Sequence, residues 1–396
     1  MVFLVNLGRV VFAPLLEPLS TAFTLTESTA GLIATLAWLG SATPRIPTGY
    51  LLTRVERHKV VLGTGAVLTG SAAFIALANS VVMLGLGAFL MGVASGAYFI
   101  AANPLISELY PERVGRTLGI HGTASQLAAV AAPLFVGAVL TAGLWQDLFG
   151  TVPFAPWRGV FVIVAVVAAT ATGVFYRTAK RTEMPDAGSE DRALLAAARR
   201  QWPIIVSGVA ILGMAGFAWN GLFNFYIKYV TATKGIDPGT ANTLLTVVFA
   251  AGVPAFWLTG RLADRLPHVP LMLSILGGFI ACLFALTAVQ GLLALAVVTA
   301  ILGYVIHSLF PALDTYLLDS LPDENRASAY SLYSGAMMIV QATGSVAVGT
   351  LVDAGFAYDT VFRTFGGVLV GVLAVLVVLW AADKLPKGKE DPSVAG

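Results

Sequence analysis

Arg9 and Arg45 stand inside stretches that are otherwise apolar, where few environments tolerate a guanidinium. An ionisable side chain facing lipid near a bilayer centre costs at least ~2.5–3.5 kcal/mol, so it turns toward protein, water or a ligand. Arg9 lies eight residues past Met1, and Arg45 nine residues before Arg54. At the rise of an α-helix, both come to about 12–14 Å above one membrane boundary. Two cations at one depth repel unless an anion lies between them. The planar fork of arginine matches nitrate, carboxylate or phosphate bidentately. The competing reading pairs Arg9 or Arg45 with a carboxylate, Asp314, from the other half of the chain.

Other polar side chains fall on the same apolar stretches. Asn6 shares a segment with Arg9, and Asn103 lies near the end of the fourth segment. Asn220, Asn224 and Lys228 follow an i, i+4, i+8 spacing, which places them on one helix face. Asn220 and Asn224 are candidates to contact a solute. Lys228 either snorkels to water or pairs with Glu17 as a latch across the outer ends. His307 and Asp314, at i and i+7, are rival proton carriers; an imidazole changes charge near neutral pH. Tyr330, Tyr333 and Gln341 line up with Met337, a stripe that suits either solute contact or packing. His121 reads as a hydrogen-bonded packing residue, and Gly92-xxx-Gly96 calls for close helix contact.

The elements that must hold these groups follow from composition. The 396 residues are 57% hydrophobic and 11% charged, with a mean hydropathy of +0.84. A soluble domain does not look like this. A membrane-crossing helix needs ~20 mostly apolar residues, and twelve such windows are legible. The first six are 2–22, 28–52, 59–79, 81–107, 116–142 and 157–177. The second six are 203–231, 239–262, 268–288, 292–320, 326–352 and 359–383. The first window carries Asn6 and Arg9 and lacks a basic leader, so it reads as a span rather than a cleaved signal.

With both ends of the chain inside, 17 of the 23 Lys and Arg fall in inner segments, including the tail after Ala382. That asymmetry predicts cytoplasmic termini in a cell-membrane protein. Thr178 to Trp202 is the longest polar stretch and divides the chain. The expected bodies are therefore a six-helix bundle over 1–177, a cytoplasmic linker over 178–202, a second bundle over 203–385 and a tail over 386–396. Arg192 to Gln201 (RALLAAARRQ) is expected as a short basic surface helix or simply as tether. One cysteine, Cys282, and four scattered histidines offer neither a disulfide nor metal-ligand spacing. No cofactor is expected, and nucleotide-loop, nucleophile-elbow and zinc-protease motifs are absent, so the chain reads as no enzyme.

The two halves repeat at an offset of 211 residues: Gly49-Tyr-Leu-Leu-Thr-Arg54 returns as Gly260-Arg-Leu-Ala-Asp-Arg265. By the same offset Glu108 pairs with Asp319, Pro111 with Pro322, and Asn103 with Asp314. Tandem halves of one orientation are the parallel-repeat plan of transporters that rock about a central site. The sequence resembles the major facilitator superfamily over essentially its whole length. That family's loop reads G-x-L-x-D-R-x-G-R-R/K. Gly260, Leu262, Asp264 and Arg265 fit it; Pro267 replaces the second glycine, and Thr53 and Glu56 depart from it in the first copy. Arg45-Ile-Pro-Thr-Gly49 is similar to the second-helix signature of nitrate/nitrite porters, although the matching position of the eighth helix is Phe256.

The resemblance implies an all-α membrane protein of two six-helix bundles that moves a small solute by alternating access. It implies an inner gate of acid–arginine clusters, here Arg54, Glu108, Arg116, Asp264, Arg265, Asp319 and Arg326. The expected cargo is a small anion, nitrate-like or carboxylate, moved by a monomer with proton symport and no nucleic-acid partner. Two other expectations stand beside it: a proton-coupled exporter of lipophilic cations, and a non-transporting solute sensor on a transporter scaffold.

Overall fold

The computed structural model describes residues 1–142, 155–185, 194–263, 265–321 and 326–385, and they are helical almost throughout. The first half runs α1 (Val2–Val10), α2 (Phe12–Phe23), α3 (Glu27–Ala42), α4 (Arg45–Leu51), α5 (Arg57–Ala76) and α6 (Val81–Leu109). A 3-10 turn at Pro111–Arg113 leads into α7 (Val114–Thr141), and α8 (Pro156–Ala179) completes the half. The second half begins with α9 (Leu194–Gly208), a π-helical turn (Val209–Gly213) and α10 (Met214–Lys234). It continues through α11 (Pro238–Ala263), α12 (His268–Ala288), α13 (Leu292–Ser320), α14 (Arg326–Asp353) and α15 (Tyr358–Ala381).

Among the described residues ten helices are long and apolar enough to cross a membrane, and the bent pair α1–α2 makes eleven. The twelfth expected span is the interrupted pair α3–α4, whose pieces hold 16 and 7 residues. Both interruptions have a cause in the sequence. Pro14 has no N–H to give the carbonyl four residues back, and its ring presses on that carbonyl. The first span accordingly bends by 43° between α1 and α2. Pro44 and Pro47 do the same to the second span, ending α3 at Ala42. These breaks put Arg9 in the last turn of α1 and Arg45 at the first residue of α4.

One sequence expectation needs correction. Residues 194–201 do not form a separate surface helix: α9 runs through them into the seventh span, broken only by the π turn. Extra turns of that kind leave backbone groups without their usual partner. Here the Gln341 side chain donates to Leu212 O at 3.2 Å, so the stripe on α14 has a structural duty. The paired glycines of α6 serve close packing, as expected. A Cβ at Gly92 would overlap Ala37 O, and one at Gly96 would overlap Ser41 O, so α3 and α6 meet backbone to backbone.

The chain divides into two compact units. One comprises Met1–Asp191, Gly221–Thr246 and Ser345–Gly355; the other comprises Arg192–Asn220, Val247–Gly344 and Phe356–Gly396. The first unit therefore includes the end of α10, the start of α11 and the end of α14 along with the first six spans.

Candidate functional site

Arg9 is held by neutral groups. Its Nη2 donates to Asn6 Oδ1 at 2.7 Å and its Nη1 to Ser41 Oγ at 3.4 Å. Its guanidinium carbon lies 4.2 Å from the centre of the Trp38 ring, a cation–π contact. Asn6 is anchored in turn, its side-chain nitrogen donating to Ser125 O on α7 at 2.6 Å. Arg45 Nε donates to Ser41 O at 3.3 Å, so both arginines meet at one serine. Phe223 closes edge-on against Trp38 with ring centroids 5.8 Å apart. Among the described residues no carboxylate pairs with Arg9, and Arg9 Nε and Trp38 Nε1 are buried donors without a hydrogen-bond partner. A buried polar atom without a partner in a native structure marks strain, function or a bound group.

Trp38 was missed by sequence reasoning, though a signal existed. Trp38, Ser41 and Arg45 follow an i, i+3, i+7 spacing, which puts them on one helix face.

In the second unit His307 sits in a box of rings. Trp219, Phe249, Phe256 and Phe310 have centroids 5.4, 6.0, 6.2 and 6.4 Å from it. Its Nδ1 donates to Gly303 O at 2.7 Å, which fixes the tautomer and leaves Nε2 as the acceptor. Two turns further along the same face of α13, Asp314 accepts from the Tyr330 hydroxyl at 3.1 Å. The rings of Tyr330 and Tyr333 lie tilted to each other at 57° with centroids 5.9 Å apart. Asn220 is buried, and so is Asn224, which donates to Ser345 Oγ at 3.0 Å within the first unit. Asn103 is exposed.

Lys228 does not snorkel. Its Nζ lies 2.8 Å from both carboxylate oxygens of Glu27 and 3.5 Å from Glu17 Oε2. The pairing with Glu17 that the sequence suggested is thus joined by a closer one. Glu27 escaped notice because an acid in a helix's first turn, after the Thr26 cap, has an ordinary structural reading. Asp353, from α14, accepts from Glu27 N at 3.0 Å and Ser28 N at 2.8 Å.

At the opposite end of α6, Glu108 pairs with Arg57 at 2.9 Å. Arg54 and Arg116 are both exposed, and neither pairs with Glu108 among the described residues. Glu56 in the same loop binds Lys59 at 2.6 Å, and that hydrogen bond holds its carboxyl below the usual range. Arg265 is exposed as well. Asp264, and the side chains of Asp319 and Arg326, lie outside the described residues. His121 packs as expected, stacked on Tyr98 with its Nε2 3.1 Å from the tyrosine hydroxyl.

Comparison with known proteins agrees with this architecture. The purine ribonucleoside efflux pump NepI of Escherichia coli is 26% identical over 391 residues, covering 95% of this chain and 89% of that protein. The transcription regulatory protein OpdE of Pseudomonas aeruginosa is 24% identical, covering 94% and 90%. Among solved structures, a bacterial homologue of the human lysosomal transporter Spinster, inward-facing and unoccupied, superposes with a TM-score of 0.79 at 18% identity, covering 98% of this chain and 97% of that one. The inward-open xylose transporter XylE of E. coli gives 0.73 at 16% identity, covering 98% and 95%. The family model of the Major Facilitator Superfamily matches residues 1–229 and 209–396. This chain therefore belongs to the Major Facilitator Superfamily, as a multi-pass membrane transporter and not an enzyme.

Proposed function

We propose that this transporter moves a small anionic solute, nitrate-like or carboxylate, by alternating access of its two six-helix halves. The observation that carries the proposal is the setting of Arg9. A guanidinium inside an apolar span is oriented by an amide, a hydroxyl and an indole face, and no acid neutralises it among the described residues. An anionic solute supplies the missing charge. Arg9 Nε and Trp38 Nε1 supply donors to receive it, and Arg45 adds a second cation at Ser41. The α4 stretch Arg45-Ile-Pro-Thr-Gly49 supports a place near the nitrate/nitrite branch. Proton symport is the coupling, with Asp314 and its Tyr330 donor, or His307, carrying the proton. The protein works as a monomer in the cell membrane with both termini cytoplasmic.

A second reading, export of a lipophilic cation, has one specific support. The four rings around His307 form a π-rich box of the kind that receives cations and flat ring systems. The likeness to an efflux pump agrees with it.

Thermal unfolding of the detergent-purified protein separates the two. The panel is nitrate, nitrite, small carboxylates, sugar phosphates and lipophilic cations, each run against wild type, Arg9→Gln and Arg45→Ala. A ligand at 100 times its dissociation constant adds ~2.7 kcal/mol. Stabilisation by one anion class, lost in both variants, supports anion transport. Stabilisation by cations that ignores both substitutions overturns it in favour of export.

A further inference from the structure

We infer that Arg158 and Trp157 form an oxyanion site at the first turn of α8, fitted to a phosphate group carried by a membrane lipid or free in solution. The inference stands apart from the cargo reading, because neither residue is among the groups that hold Arg9.

The site is built where α5 stops and α8 starts. Arg158 Nη1 donates at 2.6 Å to the carbonyl of Ala76, the last residue of α5, and so covers an open helix end. Its guanidinium carbon lies 4.5 Å from the centre of the Trp157 ring. Trp157 is only 3% exposed, with its ring centroid 5.6 Å from Phe23 and 6.3 Å from Phe161. Its Nε1 is a buried donor without a partner, and Ser20 Oγ, one turn before Phe23, is buried and unpartnered too. A buried indole N–H ordinarily finds an acceptor, so this one marks strain or a group bound from outside the chain.

The second half contains a closed version of the same joint. At the 211-residue offset Ala76 matches Thr287, and Arg363 of α15 closes on that threonine. Arg363 donates from Nε to Thr287 Oγ1 at 3.0 Å and from Nη2 to Thr287 O at 3.4 Å. Ala76 has no hydroxyl. Arg158 therefore spends only Nη1 on protein, and its Nε and Nη2 meet no acceptor among the described residues. Those two nitrogens share one edge of the planar fork, the edge that takes two oxygens of a phosphate.

The surroundings favour an anion. Neither α5 nor α8 carries an acid, and Glu17, the one acid of α2, is turned to Lys228 at 3.5 Å. α8 is 24 residues long, and its N-cap, Ala155, gives the first amides no side-chain acceptor. The positive end of that helix thus lies beside the guanidinium. Guanidinium, indole N–H and open amides are all donors, and phosphate answers them with several acceptor oxygens. Because α8 is itself long and apolar enough to cross a membrane, its first turn stands at the depth of lipid headgroups, where tryptophan is at home.

The test titrates the detergent-purified full chain with a short-chain phosphatidylglycerol and, separately, with inorganic phosphate. Retained lipid is counted by native mass spectrometry, and phosphate binding is read from the unfolding temperature. Saturable binding of at least one probe is expected, and the probe that binds names the source of the phosphate. Arg158→Gln should weaken it about tenfold, as the loss of a charge-assisted hydrogen bond does. Trp157→Phe keeps the ring, drops the N–H and should weaken it about fivefold. Ala76→Thr should also weaken it, because the new hydroxyl draws in Arg158 Nε as Thr287 draws in that of Arg363. This variant leaves both binding residues in place and carries the test if Arg158→Gln does not purify. Arg9→Gln should leave the binding unchanged. No saturable binding of either probe, binding indifferent to Arg158→Gln and Ala76→Thr, or binding lost with Arg9→Gln overturns the proposal. A cargo screen that finds no transported anion leaves this result untouched.

Discussion

The guanidinium carbon of Arg9 lies over the Trp38 ring, 4.2 Å from its centre, while the indole N–H of Trp38 is buried without a partner. Cation and ring come from different spans, and Asn6, Ser41 and Phe223 fix them in place. Under the proposed function the pair would present a solute with both a charge and a donor.

Replacing Trp38 separates these two contributions. Trp38→Leu should lower the stability of the ligand-free protein by about 0.5–2 kcal/mol through loss of the cation–π contact. Trp38→Phe should recover most of that stability and yet weaken anion binding, since the N–H is gone. Thermal unfolding with and without the anion that stabilises wild type reads both. Equal binding by Trp38→Phe and wild type would remove the indole N–H from the site.

The backbone contact between α3 and α6 predicts a sharp contrast between two glycines. Gly92→Leu must push Ala37 O away, and overpacking of this kind costs typically ~1–3 kcal/mol. A Cβ on Gly63 meets nothing within 4 Å, so the exposed Gly63→Leu should be near neutral. The yields and unfolding temperatures of the two variants compare them directly.

The π turn supplies a third prediction. Gln341→Met keeps the volume but leaves Leu212 O without its side-chain donor. Interhelical hydrogen bonds inside membranes are worth on average ~0.6 kcal/mol and at most ~1.7. A loss within that range, measured by chemical unfolding in mixed micelles, is the expected outcome. A larger loss would mean that the π turn itself collapses.

Much of the architecture was legible in the chain. The window 81–107 became α6 at Val81–Leu109, and 239–262 became α11 at Pro238–Ala263. Pro14, Pro44 and Pro47 stand at the two broken spans. Counting residues along two neighbouring helices put Arg9 and Arg45 at one depth, whereas their shared contact at Ser41 emerged only from the packed structure. Partners were harder. Arg54 read as the gate arginine from its motif, yet Arg57, three residues on, takes Glu108. Glu17 read as the partner of Lys228 from the repeat, yet Glu27 binds it more closely.

The division has a physical origin. In a bilayer every backbone N–H and C=O must be satisfied within its own segment, so apolar length and proline alone decide where helices run and where they break. The same economy tells which side chains need shelter, because lipid offers an arginine or a lysine none. Which group provides that shelter depends on the rotation, tilt and axial offset of helices far apart in sequence. Only the packed structure, with α3 drawn onto α6 by glycine contacts and the ends of α10 and α14 brought to the start of α3, fixes those quantities.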